Sequence, residues 1–537
     1  MTLEALPAGE FTLSYLASVF GPPDAAKRAF LAGVLEDFRP GELPEVTPDD
    51  LAAALSGFWR WGEMRKGVEP AVRLVRAAGA GGRDLGLDLL EVVQPDARFL
   101  VDSVMGEAAE ASAEVLAMFH PVVAGPSGPT SMIQIWLAPV AEERRAGLIE
   151  RVRAALADNH AAVDDFPAML TLFAQTIEDL ERAAPALADT VGAATVAEEV
   201  AFLKWVEAGR FVFLGARVYD YPLNPDGSYA AEEPVYDHAT GLGVLRDPNN
   251  LVLRRSSEPS VLASSLRWRT EVAEPVVVAK ANLRSRVHRR GYMDYVGVRR
   301  HGPSGEPVGE ARFVGLFTDQ AYEEPAHEIP LLGGKIDKVM AEAGYPRGGH
   351  NAVRLEYILE TYPRDELFQI PVDELRDTAL DILHLLDRPK IKLFVRRDPY
   401  DRFVSILLYA PRERYDERLR EGAGELFARA FGGHVTDCMP SYSDQPLARI
   451  HYIIGLPPEG AVQPDIAWLE AEAGRIARTW ADDFETAVRA GAPDPLAAAK
   501  LLGDFADAFP AGYRDRFDGA EALRDAQAIE GLGDDVA

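Results

Sequence analysis

Residues 87–105 read LDLLEVVQPDARFLVDSVM, and the change of period inside this stretch decides the class of the first module. Leu87 to Val93 is an apolar run suited to a buried strand. Pro95-Asp96 then supplies a turn and an N-cap carboxylate, after which Leu100, Val104, Ala108, Ala111 and Val115 recur at helical spacing. Leu116 to Val123 forms a second apolar run, and GPSGPT a turn. In Ser131 to Leu137, Ile133, Ile135 and Leu137 alternate with Gln134 and Trp136, the period of a strand with two unlike faces. Leu148, Val152 and Leu156 mark the next amphipathic helix. The order β-α-β-β-α predicts most of a ferredoxin-like sandwich, with helices on one face of an antiparallel sheet.

Upstream, the glycines Gly79, Gly81 and Gly82 offer a domain boundary behind a helical N-terminal segment. Downstream, Met169, Phe173, Ile177 and Leu180 share one helical stripe and predict a connector. Short β segments follow, FVFLGARVY, LVLRR, EPVVVAKA, YMDYVGVRR and ARFVGLF, separated by turn clusters; they predict a β-rich sensory-type unit. Residues 327–386 read as mostly helical. From Lys390, KIKLFVRRD and RFVSILLYA predict two strands joined by a tight turn at Pro399 to Asp401. A charged helix, strands near HVTDCM and ARIHYIIGL, and a helix from Ile466 to about Val488 complete a β-β-α-β-β-α module. The acidic stretch from Trp480 reads as a helical connector, with a frayed GLGDDVA end.

The chain has 537 residues, 47% hydrophobic and 26% charged, too long for a single core. Its formal charge of −29 argues against nucleic acid or an anionic membrane as partner. One cysteine, Cys438, leaves no intramolecular disulfide and no thiolate metal cluster. No apolar run reaches the length of a membrane span, and a cytoplasmic location is expected. The GxGxxG dinucleotide fingerprint is not met: Gly241 and Gly243 lead to Arg246, and Gly422 and Gly424 lead to Phe427. Gly333-Gly334-Lys335 departs from a phosphate loop, and the histidines form no metal motif. His434 and Cys438, four apart, lack a third ligand.

One basic segment stands out. Between Arg267 and Arg300 lie Arg267, Arg269, Lys280, Arg284, Arg286, Arg289, Arg290, Arg299 and Arg300, against Glu271, Glu274 and Asp294 alone. Arginine forks suit carboxylate or phosphate. The plainer alternative is a charged sheet face meeting an acidic surface of the same assembly. Lys280, Arg284, Arg286 and His288 are the candidate residues for an anionic ligand or an interface.

Longer strings add what periodicity does not. AKANLRSRVHRRGYMDYVGV at 279–298, GLFT at Gly315, EIPLL at Glu328, ETYPRDELFQI at Glu360 and LFVRRDPYDRFVSILLYAPRERYD at Leu393 closely resemble the large bacterial NAD-specific glutamate dehydrogenases. FLVDSV at Phe99, HPV at His120, FLG at Phe213 and GLGVLRD at Gly241 occur in the family's order, so the resemblance runs from about residue 85 onward. It implies an α+β, multidomain chain in which ferredoxin-like (ACT-like) modules flank a β-rich PAS-like module, with helical connectors. The implied boundaries are an N-terminal helical segment (1–82), ACT-like module 1 (83–165), a connector (166–195), the PAS-like module (196–325), a connector (326–387), ACT-like module 2 (388–490) and an acidic connector (491–537).

The family's reaction is oxidative deamination of L-glutamate with NAD to 2-oxoglutarate and ammonium. The expectation is an N-terminal regulatory and assembly portion, inactive alone, with catalysis outside this chain and no catalytic, cofactor or metal residue within it. The alternatives are a free-standing amino-acid sensor and a structural oligomerisation module. NAD is then implied for the family protein rather than for this chain. The expected partners are a catalytic glutamate dehydrogenase region or other subunits, an amino-acid effector and further copies in a homo-oligomer. Two departures are noted: Gly333 and Gly334 replace basic residues after EIPLL, and Asp401 takes the place of a turn glycine.

Overall fold

The computed structural model describes residues 24–39, 41–43, 45–64, 69–125, 128–225, 235–250, 252, 274–398, 402–442, 445–457 and 462–531. They fall into two compact units, one ending at Glu324 and the other beginning at Pro325. The segment LVLRR apart from Val252, Arg267, Arg269, Glu271, the turn at Pro399 to Asp401 and most of the GLGDDVA end lie outside the described residues.

The first unit opens with helices α1 (Ala25–Asp37) and α2 (Pro48–Glu63). Asp24 caps α1 by accepting the Lys27 N–H, and Thr47 with Asp50 closes a capping box on α2 behind Pro48. The first sheet contains β1 (Ala71–Ala78), β2 (Asp84–Pro95), β3 (Val115–Phe119), β4 (Val122–Gly125) and β5 (Gly128–Leu137). Its order is β1-β2-β5-β3, with β4 also on β5, and every pairing is antiparallel. On one face, Leu89, Val93, Met132 and Trp136 pack with Phe30, Leu55 and Phe58 of α1 and α2. On the other, Leu90, Val92, Ile133 and Ile135 meet Leu100 and Val104 of α3 (Leu100–Glu110) and Leu148, Val152 and Leu156 of α4 (Glu142–Leu187). Helices on both faces explain why β2 reads as a continuous apolar run.

Three sequence expectations change here. Gly79 to Gly82 is not a boundary but the connection between paired strands β1 and β2. The 46-residue helix α4 runs unbroken past residue 165, through Pro167. One apolar stripe continues along it, first against the first sheet and then, through Phe173, edge-on to Phe213 and Phe313 at 4.9 and 4.8 Å. These two rings belong to a second antiparallel sheet of β6 (Phe211–Asp220), β7 (Leu242–Gly243), β8 (Val276–Ser285), β9 (Gly291–His301) and β10 (Pro307–Phe317), in the order β7-β6-β10-β9-β8. Val115, counted above on a helical stripe, opens β3 instead.

Helix α5 (Ala193–Trp205) carries a buried carboxyl, Glu199, whose one oxygen accepts the Val276 N–H while Oε2 has no hydrogen-bond partner among the described residues. Burial pushes this carboxyl up to about 8, helped by Glu274 and Glu198 and opposed by Arg299. The folded pKa lies above the ordinary value of 4.5, so the folded state keeps a proton that the unfolded chain loses. This stabilisation is complete below the ordinary carboxyl range and disappears as pH rises through about 8. Urea midpoints of the Glu199→Gln variant should fall less steeply across this window than those of the wild type. Equal slopes would refute the assignment.

The second unit begins with α6 (Leu332–Ala343), α7 (His350–Glu360), α8 (Arg364–Gln369) and α9 (Val372–Asp387). Lys335, from the string that departs from a phosphate loop, donates to the carbonyls of Leu367, Phe368 and Ile370 at 2.8, 3.2 and 2.9 Å. It closes the C-terminal end of α8. A four-stranded antiparallel sheet follows, β11 (Lys392–Arg397), β12 (Phe403–Pro411), β13 (His434–Ser441) and β14 (Leu447–Gly455), ordered β11-β12-β14-β13. Helices α10 (Glu417–Phe431) and α11 (Ile466–Ile476) cover one face through Leu419, Phe427 and Leu469. The β-β-α-β-β-α order stands, except that the last helix ends at Ile476. Thr479 and Asp482 form a capping box and start a new helix, α12 (Trp480–Gly491). With α13 (Pro495–Phe505) and α14 (Gly519–Gly531) it builds a separate small core around Phe484, Val488 and Phe509. None of the described helices is long and apolar enough to cross a membrane.

Candidate functional site

A cavity of about 330 Å³ lies in the first unit, between α3, α4 and the β8–β9 hairpin. Helical spacing places Glu107 and Glu110 on one face of α3, and Arg151 and Asp158 on one face of α4. The hairpin contributes Arg284, Arg286 and Arg290. Glu107, almost fully buried, pairs with Arg290 and stands 3.5 Å from Arg151. Arg286 reaches Asp158 at 3.4 Å, while Arg284 and Arg151 stand 3.8 and 3.7 Å from Glu110. Burial raises the Asp158 carboxyl above its usual range although Arg286 pulls it down.

Four guanidiniums thus face three carboxylates across a cavity of ligand size. The longer pairs are looser than a bidentate fork, so a ligand carboxylate can compete for them. A lining of both signs with one excess positive charge suits a small molecule carrying carboxylate and ammonium groups.

The sequence candidates divide. Arg284 and Arg286 line the cavity; Lys280 and His288 do not. Lys280 sits opposite Asp294 within the sheet, with Nζ 2.5 Å from its carboxylate, and Asp294 also accepts the Phe317 N–H. His288 adopts a φ of 65°, lays its ring 4.7 Å from that of Phe99 and sets Nδ1 3.1 Å from Asp102. It fastens the hairpin to the start of α3. The carboxylates that face these arginines, Glu107, Glu110 and Asp158, belong to the chain's own first unit. Glu107, Glu110, Arg151 and Asp158 were missed. Their helical spacing was visible, but it does not say which element they face.

The glycine pairs do not fit a dinucleotide. Gly243 has a φ of 59°, and its N–H donates at 2.7 Å to Asp165, which also holds Arg246. A carboxylate from α4 occupies the place a phosphate would need, and a 3₁₀ turn follows rather than an α-helix. Gly422 and Gly424 lie inside α10, where an added Cβ would press on Ile476 and Tyr452. The three sheets of the described residues are antiparallel throughout, unlike a doubly wound dinucleotide fold. Among the described residues no group of three or more His, Cys, Asp or Glu is placed to hold a metal. Cys438 pairs across the sheet with Tyr452, whereas His451 pairs with Met439, so thiol and imidazole take opposite faces. Burial raises the Cys438 thiol and keeps it protonated.

Comparison with known proteins gives these units names. Four glutamate dehydrogenase models match in order: the ACT1 domain at residues 30–150, helical motif 1 at 329–388, the ACT2 domain at 392–481 and helical motif 2 at 493–532. The NAD-specific glutamate dehydrogenase of Halomonas elongata is 32% identical over 94% of this chain. That of Pseudomonas aeruginosa is 35% identical over 64%, and that of Mycobacterium tuberculosis 27% identical over 97%. The chain spans 32%, 21% and 32% of the lengths of these three relatives.

The expectation of a regulatory and assembly portion, inactive alone, is corrected by these matches, as are the alternatives of a sensor or an oligomerisation module. Likeness to NAD-specific glutamate dehydrogenase covers 94% to 97% of the chain instead of starting near residue 85, and ACT1 begins already at residue 30. Most of helix α1, helix α2 and strand β1 are family sequence too. With its two ACT domains and two helical motifs in register, the chain belongs to the NAD-specific glutamate dehydrogenase family.

Proposed function

We propose that this protein serves the NAD-linked oxidation of L-glutamate to 2-oxoglutarate and ammonium. The observation that carries the reading is the ordered run of ACT1, helical motif 1, ACT2 and helical motif 2, with 32% identity along nearly the whole chain. NAD comes with the name of the relatives, and no described residue is assigned to it. The cavity beside ACT1 is read as the place of an amino-acid effector, because its four arginines and three carboxylates complement a zwitterion. The sheet at 211–317 is read as PAS-like on its five antiparallel strands backed by a helix. A cytoplasmic homo-oligomer is the working form, in keeping with one half-buried cysteine.

The test is to isolate the tagged chain from its own cells together with whatever it retains, and to follow glutamate-dependent NADH formation. Turnover is expected, and added amino acids should change its rate in the wild type but not in an Arg284→Met/Arg286→Met variant. A preparation no more active than one from cells lacking the gene would overturn the reading. Turnover with equal effector response in both proteins would remove the effector site alone.

A further inference from the structure

The face of the ACT2 sheet turned away from α10 and α11 is covered by α8 and α9, and between α9 and β11 a cavity of about 250 Å³ stays open. That is room for about eight waters. Glu374, Thr378 and Asp381 recur at helical spacing along α9 and line one wall. Phe394 and Arg396, alternate residues of β11, line the other.

The positive charge here is already used. Arg396 forks onto Glu366 with two bonds of 2.7 Å, and Lys392 is 3.0 Å from Glu470. Ser405 is held by His451 at 2.8 Å, whereas three other polar groups of the lining have no such partner among the described residues. Tyr362, 4% exposed, makes no side-chain hydrogen bond, and neither does Thr378, 9% exposed. Glu374 has no ion pair or hydrogen bond; burial raises its carboxyl above the usual range, with Arg396 opposing and Glu366 reinforcing the rise. Two hydroxyls without a hydrogen-bond partner among the described residues and a half-buried carboxyl without an ion pair thus line one open cavity, an arrangement rich in acceptors and short of donors.

We propose that this cavity binds a small organic cation, a primary ammonium or guanidinium on a short aliphatic body. An ammonium brings three N–H donors, matching the Glu374 carboxylate and the hydroxyls of Thr378 and Tyr362. The Tyr362 and Phe394 rings supply faces for the cation and its methylenes. An anion would meet Glu374 and Asp381 with no free guanidinium to receive it.

Calorimetric titration of the full chain with n-butylammonium chloride and butylguanidinium chloride tests this, against n-butanol and potassium chloride at matched ionic strength. Saturable binding of at least one cation is expected, about tenfold or more tighter than butanol, because a charge-assisted hydrogen bond replaces a neutral one. Glu374→Gln should weaken it about tenfold. Thr378→Val, which keeps the side-chain volume, should weaken it by a smaller factor and serves if the first variant does not fold. Three results would overturn the proposal: no saturation by either cation, butanol binding as tightly, or undiminished affinity in folded variants.

Discussion

Replacing Glu366 by alanine should lower the unfolding free energy of the second unit by about 3–5 kcal/mol, the loss seen when one member of a buried ion pair is removed. Burial alone would raise the Glu366 carboxyl, but the Arg396 fork outweighs it and holds the group below its usual range, with His451 and Ser405 adding to the effect. Without Glu366, the guanidinium of Arg396, 7% exposed, stays buried with one weak contact at 3.5 Å to Gln369. The loss comes from that stranded charge more than from the missing attraction. The double variant Glu366→Ala/Arg396→Met should therefore recover much of the stability. Urea denaturation of the three proteins decides the matter, and a single variant as stable as the wild type would refute the account.

A second large effect is expected at Asp88, which is fully buried in the middle of β2. Its carboxylate accepts the Val140 N–H at 2.8 Å and pairs with Arg145 at 2.7 Å, so it fixes both the approach to α4 and that helix's first turn. Asp88→Ala leaves a largely buried guanidinium with only the Leu74 carbonyl at 3.0 Å and Glu142 at 3.7 Å, and a backbone N–H without its acceptor, and should cost about 3–4 kcal/mol. Asp88→Asn keeps the acceptor for Val140 but loses the charge, and should fall between wild type and alanine. Hydrogen exchange at the N-terminal end of α4 gives a local readout. Protection there unchanged in Asp88→Ala would count against this role.

Much of the fold was legible because apolar periods are local. The two-faced strand at Ser131 to Leu137, the helix after Asp96 and the β-β-α-β-β-α order from Lys392 all follow from spacing alone. Strand β1, AVRLVRAA, was missed because its arginines and alanines dilute the alternation, and its rung from Arg73 to Glu91 comes from a partner strand. The helix through Pro167 kept its apolar stripe, so the division near residue 165 had no physical basis. Conversely, Thr479 and Asp482 carried a capping signal that a continuous apolar reading passed over. The charged cavity was half visible: its arginines cluster in sequence on one hairpin, whereas Glu107 and Asp158 approach from helices far away along the chain. Long-range pairing of charges leaves no periodic trace.

Helix α4 has a mechanical consequence. About 69 Å of continuous helix, from the first sheet to the second, is a lever arm. A tilt of about 5° at its ACT1 end would carry the other end through roughly 6 Å, more than the diameter of a water molecule. Proline 167 removes one rung of backbone hydrogen bonding near the middle, which makes that point the place of least bending stiffness. The charged cavity borders this rod at Arg151 and Asp158, and further along the same rod Phe173 is wedged against Phe213 and Phe313, so both places lie on one stiff element.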